Sequence, residues 1–190
     1  MSDKERLTVD VPSVEQVEAE LKRIGYRKSF IRKLINTSTI VAAVAALSVL
    51  LSVIFFPVIQ VSGDSMTPTL SDGDILLTVH TKEVTYGDLC CVSWQNKTLL
   101  KRVVGLPGDV ISIDADGSVY VNQELLDEPY VIEQSLGDCD ISFPYEVPDR
   151  RIFILGDNRT LSVDSRNSDI GCIEKEQIIG RVLFRIWPLK

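Results

Sequence analysis

The uncharged run Thr39–Ile59 restricts this chain more than any other feature. It is rich in Val, Ile, Ala and Leu and ends Phe-Phe-Pro-Val-Ile. As a helix, roughly 20 residues span the ~30 Å hydrocarbon core of a bilayer. A lone segment in lipid must satisfy its own backbone, which only a helix does. Ser48 and Ser52 can bond to the preceding turn, and Pro57 marks the exit. Lys22, Arg23, Arg27, Lys28, Arg32 and Lys33 crowd the N-terminal flank with no acidic residue among them. The positive-inside rule therefore places residues 1–38 in the cytoplasm as a tail, 39–59 in the membrane and 60–190 outside the cell. The run is too long for a secretory h-region, and no small-x-small cleavage site lies between its end and Ser65. A retained, single-pass anchor is expected.

Charge divides at the same boundary. Residues 1–59 carry eight Lys/Arg and six Asp/Glu, a net of +2; residues 60–190 carry twelve and twenty-one, a net of -9. The whole-chain value of -7 argues against a nucleic-acid partner. Membrane lipid is the partner that the basic flank implies.

Before the anchor, residues 1–12 read as disordered. Ser13 and Gln16 form a capping box, and Val14, Val17, Leu21 and Ile24 recur at helical spacing. Gly25 is placed to end a short amphipathic helix of about three turns. Such a helix suits a membrane surface, a partner or a weakly structured tail.

After the anchor the chain is β-rich. Ile75–Val79, Leu89–Trp94, Thr98–Val104, Val110–Asp114, Ser118–Val121, Arg151–Leu155 and Ile178–Ile186 are short runs of aliphatic and aromatic residues between turn-formers. Asp116-Gly117 signals a hairpin. Residues 122–150 are polar and carry Pro129, Pro144 and Pro148, so a small subdomain or irregular excursion is expected over about 115–150. The fold class is mostly β: one transmembrane helix followed by a β-rich domain.

Three stretches carry possible chemistry. In Ser62–Leu70, Gly63 and Pro68 bracket Ser65, which presents a hydroxyl on irregular backbone. A serine nucleophile needs a proton acceptor. His80, the only histidine, sits before the polar turn Thr81-Lys82-Glu83 and is a poor candidate. Lys101 is a better one. In a strand over 98–104 it shares a face with Leu99 and Val103, and burial lowers an amine's pKa toward the range of a general base. A snorkelling surface lysine fits the same pattern. The third stretch, Gly156–Arg166, holds Asp157, Ser162, Asp164 and Arg166 after an apolar strand; extended, the last three share one face. Composition alone would also allow a solvated loop. The four cysteines, Cys90, Cys91, Cys139 and Cys172, include no CxxC pair, and with one histidine they make no obvious metal site, so no cofactor is expected. They read as buried free thiols, with a Cys139–Cys172 disulfide as the alternative.

Taken in order, these stretches resemble the bacterial type I signal peptidases, of the short single-anchor kind. Ser62–Leu70 is similar to the family's Ser-Gly-x-Ser-Met-x-Pro-Thr-Leu box, with Gly73-Asp74-Ile75 after it. Lys101–Asp109 resembles Lys-Arg-(Val/Ile)-x-Gly-x-Pro-Gly-Asp, and Gly156–Arg166 resembles Gly-Asp-Asn-Arg-x-x-Ser-x-Asp-Ser-Arg. The resemblance implies a membrane-bound endopeptidase that cuts signal peptides from exported pre-proteins after a small-x-small motif. It implies Ser65 as nucleophile, Lys101 as general base and the Ser65 N–H as oxyanion donor. Ser162 would orient the lysine amine, Asp164 would pair with Arg166, and Arg102 with Asp157. One departure is Gly63, which stands where some members place a second oxyanion donor.

Two rival readings are a soluble self-cleaving Ser/Lys peptidase of the DNA-damage response and a non-catalytic, membrane-anchored β-rich binding module. The anchor and the acidic charge count against the first. The second leaves the lysine box and Gly156–Arg166 without a purpose.

Overall fold

The computed structural model describes residues 13–188, so the expectation for residues 1–12 lies outside them. The chain divides into two compact units, residues 1–50 and 51–190. The helix α1, Val14–Phe55, begins at the expected capping box: Ser13 N–H donates to Gln16 Oε1 at 2.9 Å, and Gln16 N–H to Ser13 Oγ at 3.3 Å. It does not stop at Gly25. One glycine costs a helix about 1 kcal/mol, and the Lys, Arg, Ile and Leu residues beyond it are competent helix formers. The short N-terminal helix and the apolar run are therefore one helix of 42 residues, roughly 63 Å long. It is the only described helix long and apolar enough to cross a membrane, and none of its residues is buried. The far end also differs from expectation. Helix geometry stops at Phe55, and Val58 and Ile59 enter a strand, because Pro57 disfavours helix in the residue before it.

The described residues then form eleven strands: β1 Val58–Gln60, β2 Ile75–Val79, β3 Leu89–Trp94, β4 Lys97–Gly105, β5 Val110–Ile113, β6 Val119–Val121, β7 Glu124–Leu125, β8 Tyr145–Glu146, β9 Arg151–Leu155, β10 Ile173–Glu174 and β11 Ile178–Trp187. A seven-stranded sheet has the order β1-β2-β11-β3-β4-β9-β10, and a four-stranded sheet β7-β6-β5-β8, with every pair antiparallel. All seven expected runs are strands. The four additional ones have two or three residues, too few to show alternation. The second sheet takes in β5 and β6 and so begins at Val110. The loop Asp114–Ser118 joins β5 to β6, with Gly117 at φ +91°, a conformation natural to glycine.

Alternation places the cores. Val104, Phe153 and Leu155 of the large sheet pack with Ile111, Ile113 and Val119 of the small one. The sheets approach closely at Gly105, where a Cβ would come within 2.8 Å of Ile111. A separate cluster of Val61, Met66, Leu70 and Leu76 fixes the chain between β1 and β2. All four cysteines are free; Cys90, Cys91 and Cys172 are buried, and burial pushes the Cys90 thiol up to about 12.

One detail of pairing decides where a ligand strand could enter. β3 pairs with β4 along its whole length, but β9 takes β4 only from Arg102 onward. Lys97–Lys101 therefore keep one edge without a strand partner among the described residues. β1 is the terminal strand of the same sheet and likewise has no strand on its outer edge among the described residues.

Candidate active site

Ser65 lies in the loop between β1 and β2. Met66, buried in the cluster beside it, anchors the loop, and Thr67 N–H and Oγ1 both donate to the Asp64 carbonyl at 3.2 and 2.8 Å. Gly63 adopts φ +88°, and its N–H donates to Asp72 Oδ1 at 2.8 Å, so it is already engaged. The Ser65 N–H has no acceptor among the described residues.

Lys101 comes from the middle of β4. It pairs across the sheet with Cys90 and lies between Leu99 and Val103 on one strand face. It is 3% exposed, which excludes the snorkelling alternative. Its Nζ lies 2.7 Å from Ser65 Oγ. Burial lowers the pKa of the amine from its ordinary 10.5; Asp164 opposes that shift, and Arg166 adds to it. A hydroxyl held against a partly desolvated amine is an arrangement that can deprotonate the hydroxyl.

The stretch Gly156–Arg166 wraps behind this pair. Asn158 N–H donates to the Ser65 carbonyl at 3.1 Å, and Asn158 Nδ2 to Thr67 Oγ1 at 3.0 Å. Gly156 must be small, since a Cβ there would sit 2.6 Å from the Ser65 carbonyl oxygen and collide with Ser162 Oγ. Asp164 Oδ2 accepts from Gly156 N–H at 2.9 Å, and its carboxylate takes Arg166 Nε and Nη2 at 2.8 and 2.9 Å. Arg102, next to Lys101 on the opposite face of β4, donates to Asp157 from Nε and Nη2 at 2.8 and 2.6 Å. Both expected ion pairs are thus present. Ser162 is buried, but its Oγ has no hydrogen-bond partner among the described residues, so the bond that would orient the lysine amine is not made. His80 is exposed at the Phe55 end of β2, five extended residues from Ile75 beside Gln60, and stands apart from Ser65 and Lys101.

Several supporting residues escaped the sequence reading. Thr69 Oγ1 donates to Asp157 Oδ2 at 2.5 Å, tying the nucleophile loop to that pair. Arg159 is 1% exposed, pairs with Glu128 and donates from Nε to the Gly156 carbonyl at 3.1 Å. Tyr130 donates to Glu128 at 2.9 Å, and its ring lies 3.8 Å from the Arg102 guanidinium. Counting would have called for a third carboxylate, though not for Glu128 in particular. Arg102, Arg159 and Arg166 need three carboxylates, and Asp157 and Asp164 supply two. A buried guanidinium left unpaired is too costly to leave uncompensated.

A cavity of about 370 Å³ opens at Ser65 and Lys101 between Ile59–Ser62 and Thr98–Leu100. Its two long walls are Ile59–Ser62, at β1, and Thr98–Lys101 of β4, the part of that strand that β9 leaves unpaired. No group of three or more His, Cys, Asp and Glu side chains arranged to hold a metal occurs among the described residues.

Fold and site define an antiparallel β domain with a serine set against a buried lysine. Comparison with known proteins adds a family. Residues 31–187 match the family described as signal peptidase, peptidase S26. The chain is 35% identical over 161 residues to signal peptidase I S of Bacillus subtilis, covering 78% of this chain and 86% of that one. It is 39% identical over 147 residues to signal peptidase I of Bacillus caldolyticus, with coverage of 68% and 79%. A crystal structure of a signal peptidase I from Enterococcus faecalis V583 overlaps 54% of this chain and 97% of its own, at 25% identity and a TM-score of 0.44. This chain belongs to the signal peptidase family, peptidase S26.

Proposed function

We propose that this chain is a single-pass membrane serine endopeptidase that removes signal peptides from exported pre-proteins. Ser65 is the nucleophile and Lys101 the general base. The observation that carries the proposal is the 2.7 Å approach of Lys101 Nζ to Ser65 Oγ in a site that lowers the lysine pKa. Neutral Lys101 takes the hydroxyl proton as Oγ attacks the scissile carbonyl. The Ser65 N–H, which has no other acceptor among the described residues, donates to the oxyanion. Lys101 returns its proton to the leaving amine as the C–N bond breaks, leaving an acyl-enzyme. Water then attacks the ester, again with Lys101 as base, and releases the signal peptide as a carboxylate. Arg102–Asp157 and Asp164–Arg166 hold the loops in register, and Ser162 fills the space above Gly156.

The cavity supports the specificity. An extended peptide laid between β1 and β4 would bond to both free edges, as in strand addition. Alternate side chains then point the same way, so the first and third residues before the scissile bond meet the same wall. Ile59, Val61, Leu99 and Leu100 line it and favour small apolar groups there. Incubation of the full-length protein in neutral detergent with a pre-protein should yield one new N-terminus, immediately after a small-x-small motif. Cleavage elsewhere, or none by folded protein, would sink the reading.

Two further outcomes follow. His80→Ala should retain activity within about twofold, because the side chain is exposed and remote from the pair; a large loss in folded protein would revive a histidine mechanism. By the positive-inside rule the basic flank favours an N-terminus in the cytoplasm and a β domain outside. An N-terminal tag should therefore resist protease added to intact spheroplasts while the β domain is digested, and the reverse pattern would invert the topology.

A further inference from the structure

A second cavity, of about 180 Å³, lies along the nucleophile loop, lined by Thr67, Pro68, Ile132, Glu133, Asp157 and Asn158. The loop is a wall shared by the two cavities: Ser65 and Met66 line the first, Thr67 and Pro68 the second. Asn158 makes this wall rigid by bonding to both the Ser65 carbonyl and Thr67 Oγ1. A polypeptide held in the first groove with its scissile carbonyl at Ser65 must continue past the reacting bond at roughly 3.3 Å per residue. The second groove is the adjoining recess on this loop.

Its charge is one-sided. Asp157 is buried and neutralised by Arg102. Glu133 is exposed and forms no ion pair among the described residues. Residues 103–149, which supply Glu133 and all of the four-stranded sheet, contain eleven Asp/Glu and no Lys, Arg or His. Only Glu128 among those acids is matched by a buried arginine, and that arginine comes from another segment. Glu133 is therefore the one charge of the groove's described lining without an ion-pair partner, and ionic strength screens its field over about 10 Å at 0.1 M.

We propose that this second groove receives the residues just after the cleaved bond, and that Glu133 selects among them by charge. A basic side chain at the second to fourth of these positions is favoured over an acidic one. Ile132, 81% exposed beside Glu133, offers apolar surface to the stem of a long cationic side chain. This inference rests on the peptidase reading above.

The test uses full-length protein in neutral detergent and two fluorogenic peptides. They share a small-x-small segment and scissile bond and differ only in Lys or Glu at the third residue after it. At about 20 mM salt the Lys peptide should have a kcat/KM about fivefold higher, narrowing toward parity near 0.5 M. Glu133→Lys should reverse the order. Equal kcat/KM at low salt, or a preference unmoved by Glu133→Lys, overturns the charge selection while leaving the peptidase reading intact. Cleavage of neither peptide by folded protein defeats both.

Discussion

Ser65→Ala and Lys101→Met should each lower kcat by about four orders of magnitude or more, and the double variant should lose no more than either single change. The two groups act as one unit: without the amine the hydroxyl keeps its proton, and without the hydroxyl the amine has nothing to activate. Independent contributions would instead multiply. The variants also separate chemistry from folding. Ser65 is half-buried on a loop, so its loss should leave stability nearly unchanged. Lys101→Met should stabilise the domain at neutral pH, since it removes a desolvated amine from the core. The sign follows from the lowered pKa. Below the folded value the native state carries the full cost of a buried ammonium. Between that value and 10.5 the unfolded chain binds more protons, so wild-type stability rises with pH and the advantage of Met shrinks. Unfolding curves at several pH values check this; a stability gap that grows with pH would contradict it.

The second large effect is expected at Arg166. It is fully buried, holds Asp164 through two bonds and reaches across to the Leu136 carbonyl at 2.7 Å. Replacing both partners by apolar groups can be neutral, but removing one leaves a charge stranded in the core. Arg166→Ala should therefore destabilise the β domain by about 3–5 kcal/mol in denaturant unfolding. It should also act on the chemistry. Asp164 raises the Lys101 pKa and Arg166 lowers it, so losing the arginine moves the acid limb of kcat/KM to higher pH. A loss under about 1 kcal/mol with an unmoved limb would show that the pair is not holding the site.

Much of this arrangement was legible in the sequence because it follows from alternation and turn chemistry. Ile75–Val79, Leu89–Trp94 and Arg151–Leu155 are strands to the residue. Lys101 fell on an apolar strand face and proves buried there. The failures have physical causes. Val58 and Ile59 are equally apolar in lipid and in an edge strand, so β1 was absorbed into the anchor. Gly25 looks like a helix stop, but its cost of about 1 kcal/mol is small against a helix that continues for thirty residues beyond it. The Glu128–Arg159 pair joins residues 31 apart through a segment without periodicity, and a charge count over buried arginines would have called only for a third carboxylate. Ser162 is the opposite case: the resemblance assigned it to orient the lysine amine, but its Oγ makes no hydrogen bond among the described residues.

The pH dependence of kcat/KM for a small-x-small peptide, measured on the full-length protein and on His80→Ala, tests the Ser65–Lys101 assignment most directly. Activity should rise with pH through one ionisation lying below 10.5, the same in both proteins, and shift upward in Arg166→Ala. A rise that disappears with His80, or one that survives in Lys101→Met, would contradict it.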